Sequence, residues 1–374
     1  MRVAFLAAAA ASLLLCAVPA GAAPRQVPRG FHGVTWDREV AEASPSVRRS
    51  HGRLMARSGV ESMRTVFNWA MAQPAGPHAT DFSRTDRVVA HAAKRRIELV
   101  PIVIYAPSWA QLNSDVASPP ARPSDYAAYL GQLVDRYGRG GSFWRERPKL
   151  PKRPVRSWQI WNEPDMEWQW AAPNWPEGYV ELLRHAHAAI KQRDPRARVV
   201  LAGLAGASWY HFERVYAQGG GPYFDVASAH TFTATPMRSL EILRRGREVM
   251  DAAGDTRKPI WATEVSWPAG KGRQGHGPYF VEVGDQGMAR YLAAFFAKAA
   301  REWKDLRLER VFWYTWASGY EPGGELFEYS GLVAFTDGGA TQRRPALRAF
   351  VRSARRLQGC VKSARGSCRR AQRG

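Results

Sequence analysis

Eight short runs rich in β-branched and aromatic residues alternate along this chain with stretches whose apolar residues recur at helical spacing. The runs fall at residues 31–36, 62–69, 97–105, 157–161, 199–203, 226–230, 259–265 and 311–316. Several are nearly unbroken, as in Leu99-Val100-Pro101-Ile102-Val103-Ile104, which suits strands buried on both faces. Between them the period changes. Tyr126, Tyr129, Leu130, Leu133, Val134 and Tyr137 share one helical face, as do Tyr179, Leu182, Leu183, Ala186 and Ile190, and then Met288, Tyr291, Leu292, Phe295, Ala299 and Trp303. Eight strands, each followed by a helix, over roughly 320 residues is what an α/β fold of the (β/α)8 TIM barrel type requires. A doubly wound open sheet would show a glycine-rich phosphate turn after its first strand, and Gly33-Val34-Thr35-Trp36-Asp37 is no such turn.

The chain is strongly basic, with 54 Lys and Arg against 33 Asp and Glu and a net charge of +21. That balance raises nucleic acid as a partner, so the position of the charge matters. Residues 343–374 hold eleven of the basic side chains and no acidic one; with these and Arg2 set aside, residues 3–342 carry +9. The basic end divides in two. Leu347, Phe350, Val351 and Ala354 form an apolar helical stripe with Arg348, Arg352, Arg355 and Arg356 outside it, the solvated face of a last barrel helix. Residues 359–374 read as a flexible basic tail suited to anionic cell-wall polymer. No nucleic-acid-binding motif accompanies it, and nucleic acid is not expected as a partner.

Met1-Arg2, an apolar run over 3–18 and the small-residue stretch Ala20-Gly21-Ala22-Ala23 follow the order of a secretory signal peptide, expected to occupy 1–23. The run is short for a membrane span. The chain is therefore expected to be exported, with one catalytic domain over 24–358. In an exported protein Cys360 and Cys368 are candidates for a disulfide, the alternative being two free thiols. His185 and His187 lie two apart on a helix and do not face each other. No Cys/His spacing, phosphate loop or nucleophile-elbow serine is present, so neither a metal nor a cofactor is expected.

The strongest local signal is Trp158-Gln159-Ile160-Trp161-Asn162-Glu163-Pro164-Asp165, an apolar strand ending in an amide, a carboxyl and a chain-breaking proline. A second carboxyl ends another strand, in Pro259-Ile260-Trp261-Ala262-Thr263-Glu264. By count these are strands 4 and 7, and barrel strands deliver reactive groups at their C-terminal ends. Two carboxyls facing one cavity can divide labour, one protonated as acid and one ionised as nucleophile, which is the chemistry of glycosidic bond cleavage. The plainer alternative is that Asn162-Glu163-Pro164 is a turn and Glu264 an ion-paired surface residue.

With Arg64, Asn68-Trp69, Ala106-Pro107-Ser108-Trp109, Trp158 to Pro164, His230, Trp261 to Glu264, Trp313 to Trp316 and Gly331-Leu332-Val333, the chain resembles a retaining glycoside hydrolase of clan A. More narrowly, it is similar to the family 39 group and its bacterial endoglycosidase-like relatives, over nearly the whole barrel. The resemblance implies that Glu163 is the acid/base and Glu264 the nucleophile, about 5–5.5 Å apart. It implies that Asn162 holds the sugar 2-hydroxyl, that Arg64 lies under Glu264 and keeps it ionised, that His230 lines the cavity near the nucleophile, and that Trp316 forms the platform at the reacting sugar. It also implies a β-linked substrate. One departure is Phe232, where the family often has a tyrosine two residues past the strand-6 histidine; another group must then steady the nucleophile, or turnover is slower. An arabinofuranosidase on the same scaffold, or a non-catalytic carbohydrate-binding barrel, are the alternatives, and a monomer is expected.

Of the fifteen tryptophans, Trp36, Trp69, Trp109, Trp168, Trp170, Trp175, Trp267 and Trp316 fall at or just after strand ends. Each is a candidate for stacking on a sugar face or for packing in the core, and the Trp168-Gln169-Trp170 loop is the first candidate for further subsites.

Overall fold

The apolar runs become strands that pair in parallel, each with its sequence neighbour. A computed structural model of the chain describes residues 24–36, 42–272, 283–320, 323–335, 341–359, 361–362 and 368–369. The strands are β1 (His32–Thr35), β2 (Ser62–Asn68), β3 (Glu98–Ile104), β4 (Ser157–Ile160), β5 (Arg198–Val200), β6 (Ala227–His230), β7 (Ile260–Val265) and β8 (Leu308–Trp313). They run in the order β5-β4-β3-β2-β1-β8-β7-β6, and a parallel bridge between Val200 and Val226 closes the ring between β5 and β6. This is the (β/α)8 barrel that the alternation of patterns implied.

Apart from two short α-helices, Trp69–Ala72 and Ser142–Glu146, the α-helices among the described residues are α1 (Pro45–Ser58), α2 (Ser83–Arg95), α3 (Pro123–Tyr137), α4 (Trp175–Arg193), α5 (Ser208–Ala217), α6 (Pro236–Ala252), α7 (Asp285–Glu302) and α8 (Pro345–Leu357). Five of them open with proline in the first turn, where its missing N–H costs nothing and its fixed φ is already helical. Their apolar stripes pack on the sheet. Val100, Val200, Val226, Trp261 and Phe312 form a separate buried cluster. Val100, Val226 and Trp261 lie at or near strand starts and, with Val200 of the short β5 and Phe312 of β8, fill that part of the barrel, so the other end, where β4 and β7 finish, is left for chemistry.

One strand is displaced from its expected position. Residues 311–316 read as strand 8, but β8 runs Leu308–Trp313. Glu309 and Arg310 hide its start in the sequence. Arg310 is nevertheless buried, paired with Glu98 and laid over the Trp261 ring. The chain leaves the strand after Trp313, and Trp316 N–H donates to Thr35 O of β1 at 2.8 Å.

Residues 1–23, the expected signal segment, lie outside the described residues, as does a disulfide between Cys360 and Cys368. The expected flexible tail contains an antiparallel pair, Val361–Lys362 against Cys368–Arg369. Among the described residues no helix is long and apolar enough to cross a membrane.

Candidate active site

Arg64 is the hub of the open end. It is fully buried on β2, and a buried guanidinium is tolerable only when each of its donors is satisfied. Its Nε donates to Gln159 Oε1 at 2.7 Å, Nη1 to Glu264 Oε1 at 2.6 Å and Nη2 to Asn162 Oδ1 at 2.6 Å. Two strands, β4 and β7, thus converge on a cation carried by a third, β2, and breaking such a buried pair from one side costs about 3–5 kcal/mol. The Asn162 oxygen faces Arg64, so its amide N–H groups point the other way, available to a hydroxyl.

His230 ends β6 at a register shift that places it opposite Glu264 of β7. Its Nδ1 is 2.6 Å from Glu163 Oε1, its Nε2 3.4 Å from Arg64 Nη2 and 3.5 Å from Glu264 Oε1. An arginine nitrogen only donates, so Nε2 presents its lone pair and the ring proton sits on Nδ1, aimed at Glu163. Burial lowers the His230 pKa to about 4, so the ring is neutral above that pH. The histidine expected beside the nucleophile therefore bonds first to the acid/base candidate.

Glu163 follows β4 in a strained turn. Trp161 and Glu163 have φ of 64° and 42°, the left-handed region that non-glycine residues avoid. The turn is held by Trp161 N–H to Val103 O at 3.1 Å, Glu163 N–H to Gly203 O at 3.0 Å and the Trp161 indole to Gln169 O at 2.7 Å. Burial pushes the Glu163 carboxyl up to about 7, against the pull of Arg64. With Nδ1–H of His230 on Oε1, the proton of the neutral acid belongs on Oε2. One oxygen of Glu163, one of Glu264 and a nitrogen of His230 lie within 4.8 Å of one another. That spacing could hold a cation, but the fixed charge of Arg64, 2.6 Å from the Glu264 carboxylate, opposes one.

The structure brings together Arg64, Asn162, Glu163, His230 and Glu264. It does not bring the tryptophans with them. Trp316 is fully buried, its indole donating to His51 Nδ1 at 2.9 Å, because β8 ends three residues earlier than the pattern suggested. Trp69 is also fully buried, stacked on Tyr129 and bonded to Gln73 Oε1 at 2.6 Å. Neither offers a ring face to a sugar. Trp36, Trp175 and Trp267 are likewise buried. Trp109 is half-buried with its indole on Gln73 O. Trp170 packs edge-on against Trp161 and Tyr179 while lining a groove of about 700 Å³ beside Asp165, and Trp168 is 65% exposed. The aromatic residue just past the end of β8 is the half-buried Tyr314, whose ring meets Phe232 and Phe327. Where a family tyrosine would stand, Phe232 packs in this cluster, and Arg64 is the group that steadies Glu264.

Three residues of the site were not singled out in the sequence. Gln159 holds Arg64, and its signal is an amide inside an otherwise apolar strand. Asp165 Oδ2 accepts from Ala205 N–H at 3.0 Å and lies 3.5 Å from His211 Nε2. Burial pushes the Asp165 carboxyl up to about 7 and His211 down to about 4.

No protein-family model matches the chain, and no curated protein sequence does. Solved structures share its fold. A family 39 glycoside hydrolase from Bacteroides cellulosilyticus WH2 superposes with a TM-score of 0.66 at 19% identity, over 88% of this chain and 64% of that one. A monomeric beta-xylosidase from Caulobacter crescentus CB15 gives 0.65 at 18% identity, over 88% and 69%. A family 51 alpha-L-arabinofuranosidase from Bifidobacterium longum gives 0.62 at 14% identity, over 90% and 75%. The chain thus spans less than two thirds of the length of the family 39 protein from Bacteroides and carries the barrel that these glycoside hydrolases have in common.

Proposed function

We propose that the chain is a retaining glycoside hydrolase that acts, as an exported monomer, on β-linked glycosides of a polysaccharide or its oligosaccharides. The observation that carries this reading is the pair of strand-end glutamates, Glu163 after β4 and Glu264 on β7, with carboxylate oxygens within 4.8 Å across a cavity built by Arg64 and His230. An inverting pair would need about 6.5–9.5 Å between carboxyls to admit a water. In the proposed reaction Glu264 attacks the anomeric carbon while Glu163 gives its Oε2 proton to the departing oxygen. Water, deprotonated by Glu163, then releases the sugar from Glu264. Asn162 N–H groups meet the neighbouring hydroxyl. The fold shared with glycoside hydrolases supports the class, and the likeness to the monomeric beta-xylosidase from Caulobacter crescentus supports the monomer.

The test is a screen of aryl glycosides and wall polysaccharides with Glu163→Gln and Glu264→Gln. Each is expected to lose about a thousandfold or more in kcat with the fold retained. The first-formed sugar should keep the substrate's anomeric configuration, and an inverted product overturns the double displacement. The likeness to an arabinofuranosidase makes arabinofuranosides the second arm of the screen. A chain that binds glycans but releases no sugar from any substrate is the non-catalytic barrel instead. Export and adhesion of the basic tail to anionic wall polymer are checked together. Fractionating cells that make the full chain or one ending at Gly359 should find both outside the cell and more of the full chain than of the shortened one on the wall.

A further inference from the structure

The end of the barrel opposite Glu163 and Glu264 gathers positive charge. A cleft of about 420 Å³ opens there at the starts of β3, β4 and β5. Six cations line it: Lys152, Arg153, Arg156, Arg196, Arg198 and Arg310, against one acidic lining residue, Glu98. Two of the six are structural. Arg310 pairs with Glu98 and Arg198 with Glu309 at 2.8 Å, and their guanidinium groups lie over the Trp261 ring, roofing the apolar plug. The other four, Lys152, Arg153, Arg156 and Arg196, are exposed, and among the described residues their side chains have no carboxylate or hydrogen-bond partner.

Four unpaired like charges at one mouth repel, whereas a surface needing only solubility intersperses the signs. Guanidinium forks match the oxygens of carboxylate and phosphate in particular. The lining also excludes one reader of polyanions. It contains no accessible aromatic ring, since Trp261 is fully buried beneath the two arginines, and single-stranded nucleic-acid sites stack bases on such rings. The cleft reads charge alone, and its volume lies within the range of ligand pockets.

We propose that this cleft binds the oxyanions of an acidic polysaccharide, a second attachment point on the face away from the catalytic mouth. The choice of a glycan as carrier rests on the glycosidase reading. Substrate could then be held by its charged stretches while its neutral stretches are cut.

The test compares the full-length Glu264→Gln chain with the same chain carrying Lys152→Gln, Arg153→Gln, Arg156→Gln and Arg196→Gln. The probes are polygalacturonate, a poly(glycerol phosphate) polymer, neutral xylan and duplex DNA. The four substitutions are expected to weaken binding of an acidic polymer by about tenfold or more and to flatten its salt dependence. Whichever acidic polymer binds more tightly identifies carboxylate or phosphate as the source. Arg156→Glu with Arg196→Glu should weaken it further. In an otherwise unaltered chain the four substitutions should leave hydrolysis of a neutral aryl glycoside within about twofold, which also checks the fold. Undiminished acidic-polymer binding, an equal loss on xylan, or tighter binding of DNA than of either acidic polymer overturns the proposal. Binding is read without turnover, so a chain that binds here and hydrolyses nothing removes the glycosidase and keeps the cleft.

Discussion

Glu163 and Asp165 are two residues apart in one turn, and burial holds both carboxyls up to about 7. Protons shared between such neighbours leave in two steps that belong to the pair. Glu163 must be protonated to serve as acid, so activity should fall as pH rises through about 7. Asp165→Asn removes a negative neighbour, which makes ionising Glu163 easier, so the falling limb should move to lower pH and become less steep. A pH profile of kcat/KM checks this; an unmoved limb leaves Asp165 with only its contacts to the Ala205 amide and His211. At this scale the sequence was half legible. The two glutamates end recognisable apolar strands. Gln159 and Asp165 were visible in the same segment, but nothing local says that an amide must hold an arginine 95 residues earlier, or that a carboxyl will be buried against His211.

The elements were legible where pattern and burial agree, and misleading where tertiary pairing hides charge. All eight strands and the helices on α3, α4, α7 and α8 follow from apolar spacing. Strand 8 slipped by three residues because Arg310 is neutralised by Glu98 of β3, a partner no window of sequence contains. The resemblance implied a platform for Trp316, and a place at a strand end made Trp69 a candidate for stacking or packing; both rings belong to the core. A large aromatic residue after a strand cannot be told from a packing one until its neighbours are known. One glycine shows how tightly the elements are fitted. A Cβ on Gly203, just past β5, would lie 1.9 Å from His230 Nε2. Gly203→Ala should therefore push the ring off Glu163 and Arg64, lowering kcat by about a hundredfold while circular dichroism stays native. Wild-type turnover in that variant would mean that His230 positions nothing.

At the scale of the whole molecule, the buried titratable groups set how stability follows pH. Burial lowers His32 to about 3 and His51, His91, His211 and His230 to about 4, against 6.5 when free. As pH falls from 6.5 towards 4, the unfolded chain takes up five protons that the folded chain refuses, so stability falls. Glu163 and Asp165 work in the opposite sense: below about 7 the folded chain holds protons that the unfolded chain releases until about pH 4. Five against two leaves the histidines in command, with about 1.4 kcal/mol per pH unit for each net proton at full effect. The melting temperature should therefore be lower at pH 5 than at pH 7. The variant Glu163→Gln with Asp165→Asn should be more stable than the parent at pH 7 and lose stability more steeply on acidification, because the opposing pair is gone. Scanning calorimetry from pH 7 to 5 on both chains decides it. A flat melting temperature in the parent would mean that the five imidazoles reach protons without unfolding.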